Sequence, residues 1–139
     1  SGFAMHVQKE RIEGHWRLTR RIRHQDGAIW RFTGQARIAN GLWFETGQLC
    51  CGTGPALAAE RRYRYRAESH GLAIFFDDGR AFHQIGTGPV SRDQHWCDPD
   101  QYTVSYRFGP HGWASRWQVS GPKKSYGMVS LYQPLDEDP

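Results

Sequence analysis

Apolar and polar side chains alternate with a period of two along nearly the whole chain, and tight-turn residues interrupt the alternation at short intervals. In residues 15–24, Trp16, Leu18 and Ile22 face one way while Arg17, Thr19, Arg21 and Arg23 face the other. Gln25-Asp26-Gly27 turns the chain, and residues 28–38 repeat the pattern, with Trp30, Phe32, Ala36 and Ile38 opposite Arg31, Thr33, Gln35 and Arg37. Asn40-Gly41 marks a second hairpin turn, followed by a strand from Leu42 to about Leu49. A period of two is the signature of a half-buried strand, and short turns between such strands make hairpins.

The same argument yields strands over residues 56–67, 72–76, 80–85, 101–108, 113–120 and 126–132. Residues 56–67 also contain Ala56, Ala58, Ala59 and Glu60, which suit a helix, but Leu57, Ala59, Tyr63 and Tyr65 alternate with charged residues and favour a strand. Residues 86–100, with Gly86, Gly88, Pro89 and Pro99, read as a loop. The expectation is an all-β, single antiparallel up-and-down meander of about nine strands, which removes its exposed edges by closing into a barrel. Residues 3–12 are expected to form a short helix capping one end. The expected division is an N-terminal segment 1–11 that opens on a cloning remnant, a barrel over 12–133 and a frayed acidic tail over 134–139.

Composition says what fills such a barrel. Apolar residues are 38% and aromatic residues 14% of the 139, so rings must build much of the core. The formal charge is +4, and three acids, Asp136, Glu137 and Asp138, lie in the tail. All cations but Lys9, Lys123 and Lys124 are arginines. A basic balance alone reads as a solvated surface and does not make a nucleic-acid site. No apolar run spans a bilayer and no signal-peptide core is visible near the start. With Cys50, Cys51 and Cys97 an odd number, reduced thiols and a cytoplasmic location are expected.

Several segments carry a resemblance. They are Glu13-Gly14-His15-Trp16-Arg17-Leu18, Ala59-Glu60-Arg61-Arg62-Tyr63, Phe75-Phe76-Asp77-Asp78-Gly79-Arg80-Ala81-Phe82-His83, Cys97-x-x-Asp100-x-Tyr102 and Trp117-x-Val119-x-Gly121-Pro122-Lys123-Lys124-x-Tyr126. Gly14-x-Trp16 resembles the opening signature of the calycins, the group of lipocalins and fatty-acid-binding proteins. The wider set is similar to a small bacterial calycin-like family of unknown function. The resemblance implies a barrel of eight to ten strands with an interior cavity, and no established reaction.

Polar residues on the apolar faces are the candidates for chemistry. Arg20 shares the face of Trp16, Leu18 and Ile22, and Arg61 that of Leu57, Tyr63 and Tyr65. An inward guanidinium needs an internal acid, for which Glu45 is available, or an anionic ligand. The rings Trp30, Phe32, Tyr63, Tyr65, Tyr106, Phe108 and Trp117 share the inward register. The expected ligand-binding set is therefore Arg20, Arg61, Trp30, Phe32, Tyr63, His83, Tyr106 and Trp117. His83, His95 and Tyr106 are the candidates for proton transfer, with His95 in a rim loop. His95-x-Cys97 falls short of a zinc-ligand pattern, Gly52-x-Gly54 lacks the rest of a dinucleotide fingerprint, and no cofactor or metal is expected.

Three functions fit. The first is an interior cavity for a small apolar or aromatic molecule with an acidic group. The second is a cofactor-independent enzyme of cyclase, isomerase or hydratase type using a cavity His and Arg. The third is a structural or interaction module with a filled interior. No membrane partner and no nucleic acid is expected. A homodimer is the softer expectation, because Val129 and Leu131 leave an apolar patch opposite the inward face of the last strand.

Overall fold

The computed structural model describes residues 2–135. Among these, helix α1 (Gly2–Ile12) precedes ten strands: β1 (Gly14–His24), β2 (Ile29–Ala39), β3 (Leu42–Cys51), β4 (Leu57–Glu68), β5 (Gly71–Phe76), β6 (Ala81–Ile85), β7 (Val90–Cys97), β8 (Asp100–Gly109), β9 (Gly112–Ser120) and β10 (Ser125–Pro134). Every ladder is antiparallel, in the order β6-β5-β4-β3-β2-β1-β10-β9-β8-β7. Consecutive strands other than β6 and β7 pair as hairpins, and the pairing of β1 with β10, from Trp16↔Pro134 to His24↔Tyr126, joins the two halves of the meander. The result is a nearly closed up-and-down barrel. Its last strand runs to Pro134, and residues 136–139 of the expected tail lie outside those described.

The barrel has a seam between β6 and β7, where no backbone ladder forms. Side chains of β7 stand in for it: Asp93 Oδ2 accepts from the Gln84 N–H at 2.7 Å, and Ser91 Oγ from the Gly86 N–H at 2.8 Å. The strand β7 corrects the expected loop over residues 86–100. Its inward positions are Ser91, Asp93, His95 and Cys97, polar residues that hide the alternation on which the loop assignment rested.

Two glycines let the wall bend. Gly34 on β2 faces Gly47 on β3, and a Cβ on Gly34 would lie 2.0 Å from the Thr46 carbonyl oxygen and 2.7 Å from Gly47 Cα. Only two bare backbones fit at such an approach.

Helix α1 closes one end. Gln8 is fully buried and donates through Nε2 to the carbonyls of Gly86 and Gly88, while Arg11 donates to the Thr87 carbonyl at 2.8 Å. Ile12, its last residue, is buried, and the Trp16 indole donates to the Ile12 carbonyl at 2.8 Å. Rings pack behind this plug: Trp113 stacks on Tyr132 with centroids 3.7 Å apart and meets Trp43 edge-on at 5.6 Å. The other end, ringed by the turns after β1, β3, β5, β7 and β9, carries no helix among the described residues and is the mouth.

Candidate functional site

Midway down the barrel, β1, β3 and β10 send polar groups inward. Arg20 on β1 lies 2.9 Å from Glu45 Oε1 on β3, and its Nε donates to Ser130 Oγ on β10 at 2.7 Å. Glu45 Oε2 accepts from the Tyr132 hydroxyl at 2.6 Å and from the Trp43 indole at 3.0 Å. Burial alone would push the Arg20 pKa down and that of Glu45 up, but the opposite charge and the hydrogen bonds reverse both: Arg20 is raised and Glu45 lowered. The pair is ionised and closed on itself. Glu45 is thus the internal acid that Arg20 requires.

Above this network lies a cavity of about 50 Å³ lined by Tyr63, Phe82, His83, Tyr106, Ser115, Trp117 and Met128, with Arg61, Tyr102 and Tyr126 toward the mouth. That is space for a few waters, well short of the ~300 Å³ or more that drug-sized ligands occupy. Phe82 is one of the rings that narrow it. Ile74 pairs with His83 and Phe75 with Ala81, so Phe82 is an extra residue without a partner, a β-bulge. Bulges re-aim side chains, and here Phe82 and its neighbour His83 both line the interior. The Phe82 ring stacks on Phe76 at 4.3 Å and on Trp117 at 5.1 Å. Strict alternation puts Phe82 outside, which is why sequence reasoning missed it.

His83 is buried, with its Nε2 2.8 Å from the Tyr106 hydroxyl. With the Tyr106 hydroxyl donating to Nε2, the imidazole carries its own proton on Nδ1. No group of the protein accepts from Nδ1. Burial, helped by the nearby His95, pushes the His83 pKa down to about 3. The ring is neutral near pH 7 and a poor proton carrier.

The other sequence candidates separate by depth. Arg61 is directly opposite Glu45 in the β3–β4 register, yet it forms no ion pair there. It is exposed at the mouth, its guanidinium 3.4 Å from the Tyr63 hydroxyl. Alternation assigns Arg61 a face and not a depth, and at this depth its guanidinium reaches solvent. Phe32 does not line the cavity: it is buried beneath Arg20, whose guanidinium lies 5.5 Å from the ring centre. Trp30 does not either; it packs on His24 at 4.1 Å beside the β1–β2 turn. His95 is on strand β7, not in a loop, and meets Phe82 edge-on at 5.4 Å outside the lining. Tyr63, His83, Tyr106 and Trp117 do converge. No group of three or more His, Cys, Asp or Glu placed to hold a metal occurs among the described residues.

A family described only as a family of unknown function (DUF6314) matches residues 12–134, and the chain belongs to it. Among solved structures, an S-type phycobiliprotein lyase, CPES, from Guillardia theta is similar with a TM-score of 0.66 and 8% identity, covering 99% of this chain and 98% of that one. A de novo designed fluorescence-activating β-barrel has a TM-score of 0.46 and 11% identity, covering 93% and 98%. No curated protein matches the chain. At such identity the lyase shows a shared fold alone, here an antiparallel up-and-down barrel.

Proposed function

We propose that this member of a family without an assigned activity binds a small aromatic molecule bearing an acidic group in the mouth half of its barrel. The rings Tyr63, Trp117 and Tyr102 hold the body, Arg61 meets the acid, and the His83 Nδ1–H donates to an acceptor on the buried end. Phe82 occupies part of the ligand's place and yields it by rotating toward the mouth, on a strand with no backbone ladder on its β7 side. The observation that carries this reading is the His83 nitrogen. It is buried without a hydrogen-bond partner from the protein, which costs ~1–3 kcal/mol if left so, on a ring that lines the cavity. Two other buried nitrogens without partners, His24 Nε2 and Trp113 Nε1, belong to residues outside the lining. Arg61 supports the reading: it pairs with no carboxylate among the described residues, whereas Lys124 near the same rim is 3.5 Å from Asp100.

The test uses two fluorescent probes of similar ring size, anilinonaphthalene sulfonate and the uncharged phenylnaphthylamine. Arg61→Met is expected to lower sulfonate affinity by about ten-fold or more, the equivalent of a lost charge-assisted hydrogen bond, and to leave the neutral probe within two-fold. Because Arg61 is exposed, its thermal melt should match the unmodified protein. Equal effects on both probes, or none on either, would remove Arg61 from the site. Native mass spectrometry of freshly purified protein checks for a co-purified molecule directly.

A further inference from the structure

The outward face of six consecutive strands, β2-β1-β10-β9-β8-β7, carries no acidic residue. The two acids in these strands, Asp93 and Asp100, occupy inward positions of the pleat. Exposed arginines fill the outward positions instead, and the registers put four of them in one line across the sheet. Arg31 faces Arg21, Arg21 faces Val129, Val129 faces Arg116, Arg116 faces Ser105 and Ser105 faces Arg92. Arg17, Arg23, Arg37 and Arg107 flank the line, also exposed. None of these eight guanidinium groups pairs with a carboxylate among the described residues. Like charges directly opposite, as at Arg21 and Arg31, are destabilising in a sheet, so the folded protein alone gives no reason for the arrangement.

The line also has relief. With strands about 4.8 Å apart, Arg21 and Arg116 stand roughly 10 Å apart, as do Arg116 and Arg92. Between the first two runs a groove of about 570 Å³, with Gly127, Gln118 and Arg23 beside it. The neighbouring grooves, of about 420 and 370 Å³, share Arg21 and Arg116 with it. The intervening residues are small or hydrogen-bonding: Thr33, Thr19, Ser105, Thr103 and Gln94.

We propose that this face binds the phosphate backbone of single-stranded nucleic acid, without reading base sequence. Arginine's planar fork suits phosphate oxygens, and a face this basic and polar matches nucleic-acid interfaces better than protein interfaces, whose cores are depleted of charge and rich in rings. A second copy of this chain on the same face would set arginine against arginine, so the apolar Val129 and Leu131 do not mark a two-fold dimer here. A flat anionic membrane touches little of a convex barrel. Total charge does not reveal such a face; the strand register does.

The test is fluorescence anisotropy with a labelled mixed-sequence 20-nucleotide DNA strand, from 50 to 200 mM salt. Micromolar binding at 50 mM is expected, with log K falling about 0.7 per log unit of salt for each phosphate contacted. The triple variant Arg21→Gln/Arg92→Gln/Arg116→Gln should bind at least ten-fold more weakly and lose about two from that slope. The changed side chains are exposed, so its circular dichroism and melt should be unaltered; should it misfold, Arg92→Gln/Arg116→Gln with proportionate loss serves instead. Arg61→Met should bind the strand as the unmodified protein does, which keeps this result separate from that for the cavity. No binding at 50 mM, or an unchanged slope in the triple variant, overturns the proposal. So does preferential binding to phosphatidylserine vesicles or to polyglutamate, which assigns the face to a membrane or to an acidic protein.

Discussion

Arg20 and Glu45 neutralise each other inside the barrel, 2.9 Å apart on strands separated by β2, with Tyr132 accepting from the guanidinium and donating to the carboxylate. Both are almost fully buried, so neither charge has water to fall back on. The pair divides the interior into a ring-packed half under α1 and a half open to the mouth.

Arg20→Met is expected to strand Glu45 and to cost about 3–5 kcal/mol, as removal of one partner from a buried pair does. Arg20→Met/Glu45→Leu should recover most of that loss, because two apolar chains of similar volume need no counter-charge. Urea denaturation of both variants decides it: a double variant no more stable than the single would show that the pair's hydrogen bonds to Tyr132, Trp43 and Ser130 matter more than its charges.

His83 makes stability fall with acid. Its folded pKa, about 3, lies below the ~6.5 of a free imidazole, so between these values the unfolded chain binds a proton that the folded one refuses. The contribution is complete above pH 6.5 and is lost on the way down to pH 3, at about 1.4 kcal/mol per unit. Glu45, whose pKa is lowered in the fold, adds a loss only below the ordinary carboxylate range near ~4.3. Between pH 7 and 4.5 the drop in stability should therefore be about 2–3 kcal/mol smaller in His83→Phe than in the unmodified protein. Parallel denaturant titrations at the two pH values measure it, and equal drops would mean that His83 is solvated.

Phe82→Ala should separate packing from binding. The ring is partly exposed and stacked on two others, so its loss is expected to cost about 1–3 kcal/mol, below the range for fully buried phenylalanines. Affinity for phenylnaphthylamine should rise several-fold as the cavity widens. Loss of stability with no gain in affinity would make Phe82 a core residue and not the occupant of a binding space.

How far the residues foretell this depends on what each inference used. Alternation places Trp16, Leu18, Arg20 and Ile22 inside, and Gln25-Asp26-Gly27 and Asn40-Gly41 at turns, because facing and turning are local properties. It identifies Glu45 as available to Arg20 without choosing between that partner and a ligand, since a pairing across two strand boundaries depends on register. It misses β7, whose inward side chains are polar because two of them bridge a seam. It misses Phe82, because a single inserted residue reverses parity. It misplaces Arg61, Trp30 and Phe32 along the barrel axis, a coordinate that a period of two does not encode.

The pairing of β1 with β10 also fixes an order of events for the growing polypeptide. The hairpin ladders within β1–β6 and within β7–β10 can form as each pair of strands leaves the ribosome, but the ladder from Trp16↔Pro134 to His24↔Tyr126 waits for residues 126–134. Arg20 meets Ser130 across 110 positions of sequence, the kind of distant contact that slows folding. Until then β1 stays an open edge, and its outward row of arginines, Arg17, Arg21 and Arg23, is what a neighbouring nascent chain would encounter. Charge on an unpaired strand discourages sheet-to-sheet sticking, so the same side chains that mark the mature surface also shield the unfinished one.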